Sequence, residues 1–224
     1  MVPTDSANVL KLINTTTGER PPSSAKSDSS AKSDRELVVA LRDGQSWAAR
    51  AIWDRHSNRV HRFLARALGP SQEIEDLTQE VFLRIFTRPR AIRDADALPQ
   101  FVMAVAVRVL KWQLRYRWVR RNMRLTADGT LPDPVGDRAS AEETRQAARL
   151  CYQILDALGT RERTAYTLRF LEEMTVDEVA ATLEVSSSTA KRLISRAAAA
   201  VASKVAALPD LRELVTAETI GGGT

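Results

Sequence analysis

The sequence predicts an all-α protein built from two small helical domains that are joined by an extended linker. Apolar side chains recur at helical spacing in several segments, and no segment has the alternating pattern of a strand. Glycine and proline residues between positions 125 and 139 separate two such helical runs. The length of 224 residues also exceeds the usual size of one domain, so two compact units with tails are expected.

The composition is that of a globular protein, with 44% hydrophobic and 27% charged residues. A net charge of +5 weakly favours a polyanionic partner, and the position of the charges along the chain carries more information. The single cysteine, Cys151, excludes an intrachain disulfide and fits a reducing compartment. The sequence shows no leader pattern and no apolar run that could span a bilayer, so it predicts a cytoplasmic location without membrane insertion.

The first domain is expected over residues 34–124, after a tail. Residues 1–33 are rich in small polar residues and are expected to form a flexible segment. A first helix begins at the capping-box pattern Ser33–Glu36 and stops at Gly44. The second helix is expected over Ser46–Leu68, because its apolar residues recur at helical spacing and a Gly-Pro pair follows it.

Two further helices complete the first domain. Residues 54–59 are polar and indicate a candidate break within the second helix. A third helix is expected over residues 71–87, with a serine cap at its start and Pro89 beyond its end. A fourth, long helix is expected over residues 99–122, because proline is tolerated in a first helical turn.

The second domain is expected over residues 141–207. Residues 125–140 read as the extended linker, and residues 208–224 as a C-terminal tail. An apolar stripe at helical spacing opens the domain, Gly159 ends that helix, and Thr160 begins another.

The end of the second domain has the pattern of a helix-turn-helix. Thr175–Glu178 forms a second capping box, and its helix is expected to run to Leu183. After a turn at residues 184–185, Ser186 can cap a last helix that reaches about Lys204. Two helices joined by so short a turn are typical of the motif that places its second helix in a DNA groove.

The most unusual segment is residues 97–127, which contains no carboxylate but seven cations and three interleaved aromatic residues. Cations on one helix can neutralise phosphates, and aromatic rings can stack on unpaired bases. The pattern therefore favours DNA that is being opened, and the alternative is an amphipathic helix whose aromatic residues belong to the core. The residues are Arg108, Lys111, Trp112, Arg115, Tyr116, Arg117, Trp118, Arg120, Arg121 and Arg124.

The helix before this segment has the opposite charge. Glu73, Glu75, Asp76 and Glu80 lie in a stretch without any cation, which suits docking on a basic protein surface. The alternative is an ordinary surface helix with solvated acids. No histidine or paired carboxylate motif accompanies them, so we expect no catalytic site, no metal site and no cofactor.

The start of the last helix carries short hydroxyls followed by cations. Hydroxyls and free amides at a helix start can bind phosphate, while longer cations can reach base edges in the major groove. The alternative is a helical hairpin with a purely structural role. The residues are Ser187, Ser188, Thr189, Lys191, Arg192, Ser195 and Arg196.

At these residues the chain resembles the extracytoplasmic-function sigma factors, over residues 37–205. The segment Asp76-Leu77-Thr78-Gln79-Glu80-Val81-Phe82 is similar to the Asp-Leu-x-Gln-Glu-x-Phe motif of their region two. Residues 158–197 resemble the helix-turn-helix of their region four. The resemblance implies a non-catalytic RNA polymerase subunit that recognises promoter DNA.

The resemblance also implies partners and site residues. Polymerase core would be bound at its clamp coiled coil and its flap, and an anti-sigma factor is a further candidate partner. The motif implies polymerase-binding roles for Asp76, Leu77, Gln79, Glu80 and Phe82. The minus-ten element would be read and melted by Arg108, Lys111, Trp112, Arg115, Tyr116, Arg117, Trp118 and Arg120. The minus-thirty-five element would be read by Ser187, Ser188, Thr189, Lys191, Arg192 and Arg196, and the acidic linker would thread toward the polymerase active cleft.

Two other classes of function remain as alternatives. A stand-alone helix-turn-helix regulator is one, because the second domain also resembles that of LuxR-type activators, but it leaves residues 76–82 unexplained. A helical enzyme such as a nuclease is the other, and it lacks any constellation beyond scattered carboxylates.

Overall fold

The computed structural model describes residues 32–124 and 140–207, which form α-helices and contain no strand. The all-α prediction is therefore confirmed for the described residues. We call α1–α4 the first unit and α5–α8 the second unit. The predicted tails, apart from Lys32 and Ser33, and the predicted linker up to residue 139 lie outside the described residues. The helices are α1 (Asp34–Arg42), α2 (Ser46–Leu68), α3 (Glu73–Thr87), α4 (Leu98–Arg124), α5 (Ser140–Asp156), α6 (Thr160–Tyr166), α7 (Val176–Leu183) and α8 (Ser187–Ala206).

The helix starts follow the predicted caps. Ser33 accepts a hydrogen bond from the Glu36 amide, and the Glu36 carboxylate accepts one from the Ser33 amide at 2.7 Å. Thr175 and Glu178 form the same reciprocal pair at the start of α7, again with a 2.7 Å amide-to-carboxylate bond. Ser186 accepts from the Thr189 amide at 3.3 Å and so begins α8. Local sequence thus fixes three of the helix boundaries.

The candidate break in α2 was wrong, because the helix runs without interruption through residues 54–59. Its polar side chains find partners on the helix surface or in the first unit, so they do not disturb the backbone. Asp54 pairs with Arg50 at 3.7 Å, Arg55 pairs with Asp34 of α1 at 2.5 Å, and His56 is buried beside them.

Two other boundaries differ from the expectations. α3 begins at Glu73, and the Ser71 hydroxyl accepts from the Glu73 amide at 3.2 Å from just outside the helix. After α6 the backbone widens into a π-helix over Thr167–Leu171, where the Glu172 amide donates to the Thr167 carbonyl at 3.0 Å. The apolar periodicity does not distinguish an α-helix from a π-helix, so the π-helix could not be predicted from it.

The core of the first unit is formed by aromatic and aliphatic side chains from all four helices. Phe63 of α2, Phe82 of α3 and Leu110 of α4 are fully buried within it. A smaller cluster fills the second unit around Tyr166, Leu155 and Val201. The larger cluster continues into the second unit, with the buried residues Ala165, Leu168, Met174, Val179, Ala180, Leu183, Ala190 and Ile194. The two units are therefore packed on each other.

Candidate protein and nucleic-acid interfaces

One face of α3 is acidic and exposed. Asp76 and Gln79 are exposed and Glu80 is half-exposed, and their spacing places them on the same side of the helix. Glu80 pairs with Arg84 one turn further on, at 2.6 Å. Leu83 continues the face and is 58% exposed, so it adds apolar area beside the acids. Leu83 was missed by the sequence analysis, although its i+3 spacing from Glu80 was visible.

The opposite face of α3 holds the helix in place. Leu77 and Phe82, which belong to the motif at 76–82, are buried in the core. The Phe82 ring lies 4.8 Å from the Trp53 ring and 5.8 Å from the Phe86 ring. The motif therefore combines two tasks, because its apolar members anchor the helix and its charged and amide members face outward.

The second half of α4 exposes the three aromatic residues of the cation run. Trp112, Tyr116 and Trp118 have 53%, 44% and 58% of their surface exposed, so the alternative that they belong to the core is wrong. Trp112 and Tyr116 stack at 5.6 Å with an angle of 9° between their rings. The Arg120 guanidinium lies 5.6 Å from the Tyr116 ring. Residues at i, i+4 and i+8 thus form one exposed column of stacked planar groups, which we call the aromatic column.

The cations around the aromatic column differ in how they are held. Arg115 and Arg120 are exposed. Arg117 turns inward and donates to the Leu68 carbonyl at 2.9 Å and to Glu73 at 2.8 Å. Arg108 is exposed but pairs with Glu184 at the end of α7. Burial lowers the pKa of Lys111, and the nearby Arg161 lowers it further.

Arg117 and Glu73 connect α4 to the start of α3. The Glu73 carboxylate accepts from both Arg117 and Gln113 at 2.8 Å. The hydrogen bond from Arg117 lowers the pKa of Glu73 and more than offsets the opposing effect of burial. One of the acids that the sequence analysis placed on a docking surface thus holds the cation helix in position.

A cleft of about 950 Å³ lies between the first half of α4, the segment before it, and α7. Arg84, Arg88, Arg93 and Arg108 line its rim, and Phe101 contributes to its apolar wall. The first three arginines were missed by the sequence analysis, although residues 84–93 contain no carboxylate. Asp94 and Glu184 also line the cleft, so four arginines outnumber two carboxylates, and a surface of net positive charge extends from α4 around the end of α3.

The start of α8 presents hydroxyls and cations to the outside. The Ser186, Ser188 and Thr189 hydroxyls form a hydrogen-bonded group within 3.0 Å of one another at Ser186. Ser187 donates to Asp177 of α7 at 2.7 Å, and this hydrogen bond connects the two helices of the helix-turn-helix. Lys191 and Arg192 are exposed and make no ion pair within the described residues, whereas Arg196 pairs with Glu162 at 3.3 Å.

Within residues 32–124 and 140–207, no group of three or more histidine, cysteine, aspartate or glutamate side chains is arranged to hold a metal ion. None of the helices in the same residues is long and apolar enough to cross a bilayer.

Comparison with protein families gives two matches in chain order. The model described as "Sigma-70 region 2" matches residues 52–121, which include the exposed acidic face and the aromatic column. The model described as "Sigma-70, region 4" matches residues 149–201, which include the helix-turn-helix.

Individual relatives give the same result. The chain is 28% identical over 171 residues to the ferric citrate uptake sigma factor FecI of Escherichia coli (strain K12), an alignment that covers 74% of this chain and 92% of the relative. It is 30% identical over 162 residues to the ECF RNA polymerase sigma factor SigE of Mycolicibacterium smegmatis, covering 66% and 60% of the two chains. The solved structure of CnrH, determined in complex with the cytosolic domain of CnrY, has a TM-score of 0.56 at 21% identity and shares the fold over 79% of this chain and 99% of that one.

Proposed function

Because this chain belongs to the extracytoplasmic-function sigma factors of the sigma-70 family and directs transcription initiation by RNA polymerase, we propose how its surfaces divide that task. The acidic face of α3 binds polymerase core, the aromatic column of α4 binds and opens the minus-ten element, and α8 binds the minus-thirty-five element. The observation that carries the proposal is the exposed column of Trp112, Tyr116 and Arg120 on a helix that packs against the acidic one.

The surface of α3 fits a basic partner with an apolar spot. Asp76 and Glu80 supply negative charge, Gln79 supplies a neutral hydrogen-bonding group, and Leu83 supplies exposed apolar area. Carboxylates would repel DNA phosphates, so this face is unsuited to nucleic acid. We assign it to the clamp coiled coil of the polymerase, and Leu77 and Phe82 support it from the core.

The aromatic column fits unpaired bases. Each base that stacks on an aromatic side chain gains about 1 to 3 kcal/mol, independent of sequence, and this gain is available only after the base has left the duplex. Exposed cations on the same helix attract the phosphates of both the closed and the opened DNA. The combination stabilises the opened strand more than the duplex, which is what promoter opening requires.

The second unit fits duplex DNA. The hydroxyls at the start of α8 are suited to phosphate, while Lys191 and Arg192 are free of ion pairs within the described residues and can reach base edges. A stand-alone helix-turn-helix regulator is not favoured, because the family match extends over the first unit as well.

The remaining parts of the proposal concern partners and setting. The chain catalyses no reaction itself and works in the cytoplasm, where polymerase and DNA are found. CnrH was solved with the cytosolic domain of CnrY, and we extend this to a protein partner, an anti-sigma factor, that binds the present chain and competes with polymerase.

Run-off transcription with purified core polymerase tests the proposal. The full chain is added to core and to a library of promoter fragments, and transcripts are expected that depend on both proteins. Copurification with core would be retained in Trp112→Ala and lost in Asp76→Arg with Glu80→Arg. Absence of any core binding by the wild-type chain would contradict the assignment of α3.

A further inference from the structure

One arginine of α8 is held by a carboxylate of a neighbouring helix in the same unit. The Arg196 guanidinium pairs with the Glu162 carboxylate of α6, and Nη2 lies 3.3 Å from Oε1. Arg192 lies one turn before Arg196, so the two guanidinium groups project from the same side of α8. Arg192 is exposed and makes no ion pair within the described residues. This side of α8 therefore carries one available arginine and one engaged arginine.

The position of Glu162 follows from the way α6 begins. Glu162 lies in the first turn of α6, and its Oε2 folds back over Gly159, the residue that precedes the helix. An added Cβ at Gly159 would overlap that oxygen, so the absence of a side chain there leaves room for the carboxylate. The Glu162 side chain is 22% exposed, whereas that of Arg196 is 68% exposed. The carboxylate is therefore the more restricted member of the pair.

The ion pair between Arg196 and Glu162 matters more for DNA than for the fold. Exposed ion pairs contribute little to stability, because water screens the charges and both side chains lose freedom. A guanidinium that contacts a phosphate must first leave the Glu162 carboxylate, and the carboxylate that stays behind repels the same phosphate. Both effects reduce the gain from a contact between Arg196 and DNA. The pair is therefore expected to lower the affinity of α8 for a phosphate backbone.

Asp177 also contacts the start of α8, but it engages a neutral group. It accepts a hydrogen bond from the Ser187 hydroxyl at 2.7 Å. A hydroxyl carries no charge, so this contact leaves the number of available cations unchanged. The cations among residues 187–196 are Lys191, Arg192 and Arg196. Within the part of the chain that the structure describes, Glu162 is the carboxylate that changes how many of these three are available to DNA.

We infer that Glu162 limits the sequence-independent affinity of α8 for DNA by holding Arg196 away from the phosphates. This inference rests on the proposed function, because it assumes that α8 binds duplex DNA. Glu162 is a positioning residue in this role, since it acts on DNA only through Arg196. With one phosphate contact withheld, a larger share of the affinity comes from the side chains that reach base edges. Discrimination between sequences is a difference of affinities, so a weaker common contribution favours it.

Binding of the full chain to duplex DNA of random sequence tests the inference, and it requires no knowledge of the promoter. Fluorescence anisotropy at several salt concentrations gives the slope of log K against log salt. Glu162→Gln removes the carboxylate charge and frees Arg196 for one more phosphate. The slope should become steeper by about 0.9, and the affinity should rise by about eightfold at roughly 0.1 M salt, because one more counterion is released. The cations of α4 are the same in both proteins, so the difference reports on α8.

Further variants separate the release of Arg196 from a change in net charge. Glu173→Gln makes the same change in net charge in the second unit, at an exposed carboxylate that makes no ion pair within the described residues. It is the matched control and should leave the slope unchanged. Arg196→Ala should match the wild type, because Arg196 is withheld from phosphates there. Glu162→Gln with Arg196→Ala should also match the wild type, because the residue through which Glu162 acts is gone.

The outcomes separate this inference from the proposed function. An unchanged slope in Glu162→Gln would overturn the role of Glu162 and would leave α8 as a DNA-binding helix. A steeper slope that persists after Arg196→Ala is added, or that Glu173→Gln reproduces, would also overturn it, because net charge alone would then explain the effect. A wild-type chain whose binding to duplex DNA is absent or independent of salt would contradict the assignment of α8 to DNA instead.

Discussion

α3 and α4 lie next to each other in the first unit and bury their apolar faces in the same core, yet their outer surfaces are opposite in character. α3 exposes Asp76, Gln79 and Glu80 with one leucine, whereas α4 exposes arginines and three aromatic rings. The helices are joined by an ion pair between Glu73 and Arg117, so each of these charges is engaged by the neighbouring helix. The comparison teaches that charge along a helix predicts its partner only for the side chains that remain outside.

The largest expected effect comes from reversing the charge of the α3 face. Asp76→Arg with Glu80→Arg should weaken core binding by more than about 100-fold, because like charges at a steered interface both slow association and cost contact energy. Fluorescence anisotropy with labelled protein and purified core measures the Kd. Asp43→Arg with Asp54→Arg makes the same change in net charge elsewhere and should bind normally. Wild-type affinity in the α3 variant would contradict the docking role.

The next effect concerns the aromatic column. Trp112→Ala removes one stacking surface and should reduce promoter opening by about tenfold, since one stacked base is worth about 1 to 3 kcal/mol. Binding to closed duplex should change much less. Permanganate footprinting reports unpaired thymines, and gel-shift assays on duplex report closed binding. Val119→Ala, which is exposed on the same helix, is the control, and equal footprints in wild type and Trp112→Ala would refute stacking.

Replacing Arg117 and replacing Arg115, two neighbouring arginines of α4, should have different effects, one on stability and the other on DNA binding. Arg117→Ala removes hydrogen bonds to the Leu68 carbonyl and to Glu73, so urea unfolding should show a loss of about 1 to 2 kcal/mol. Arg115→Ala should leave unfolding unchanged and reduce the slope of log K against log salt by about 0.9 on duplex DNA. The reverse pattern, with Arg117 setting the salt slope, would show that its inward contacts are lost on DNA.

The smallest expected effect is the pH dependence of the ion pair between Glu73 of α3 and Arg117 of α4. The hydrogen bond from Arg117 holds the pKa of Glu73 below its ordinary value of 4.5, so its ionised form stabilises the fold above pH 4.5. That stability is lost as the pH falls from 4.5 through the lowered pKa. Glu73→Gln should therefore be about 0.5 kcal/mol less stable than wild type at pH 7, because the carboxylate is partly exposed, and nearly equal to it once the pH is below the lowered pKa of Glu73. A difference that is constant with pH would contradict the assignment.

Much of the fold followed from local rules in the sequence. The two capping boxes, the Ser186 cap and the Gly-Pro pair after α2 marked helix ends where the structure has them. The polar residues 54–59 led to the wrong prediction of a break in α2. The sequence does not show that Arg55 forms an ion pair with Asp34 of α1. The π-helix after α6 could not be predicted from the sequence for a related reason, since its hydrogen-bond register depends on the side chains that pack against it.

The sequence indicated which helices carry the candidate sites, and the structure showed which of their side chains are exposed. Charge and motif selected the helices on which the sites are predicted, but the sequence could not tell that Leu77 and Phe82 are buried while Leu83 is exposed. Nor could it show that Trp112 and Tyr116 stack outside the core, or that Arg84, Arg88 and Arg93 extend the cationic surface. These properties depend on which face of each helix the neighbours cover.

The sequence by itself determined the helices, their caps, the order of two sigma-like regions, and the segregation of acids and cations onto successive helices, because each of these depends on residues a few positions apart. The tertiary structure decided which charged side chains form contacts within the protein. It also decided how the two units pack on each other at the carboxyl end of α2. Those contacts join residues about 100 positions apart, and their partners are set by packing, which local spacing does not encode.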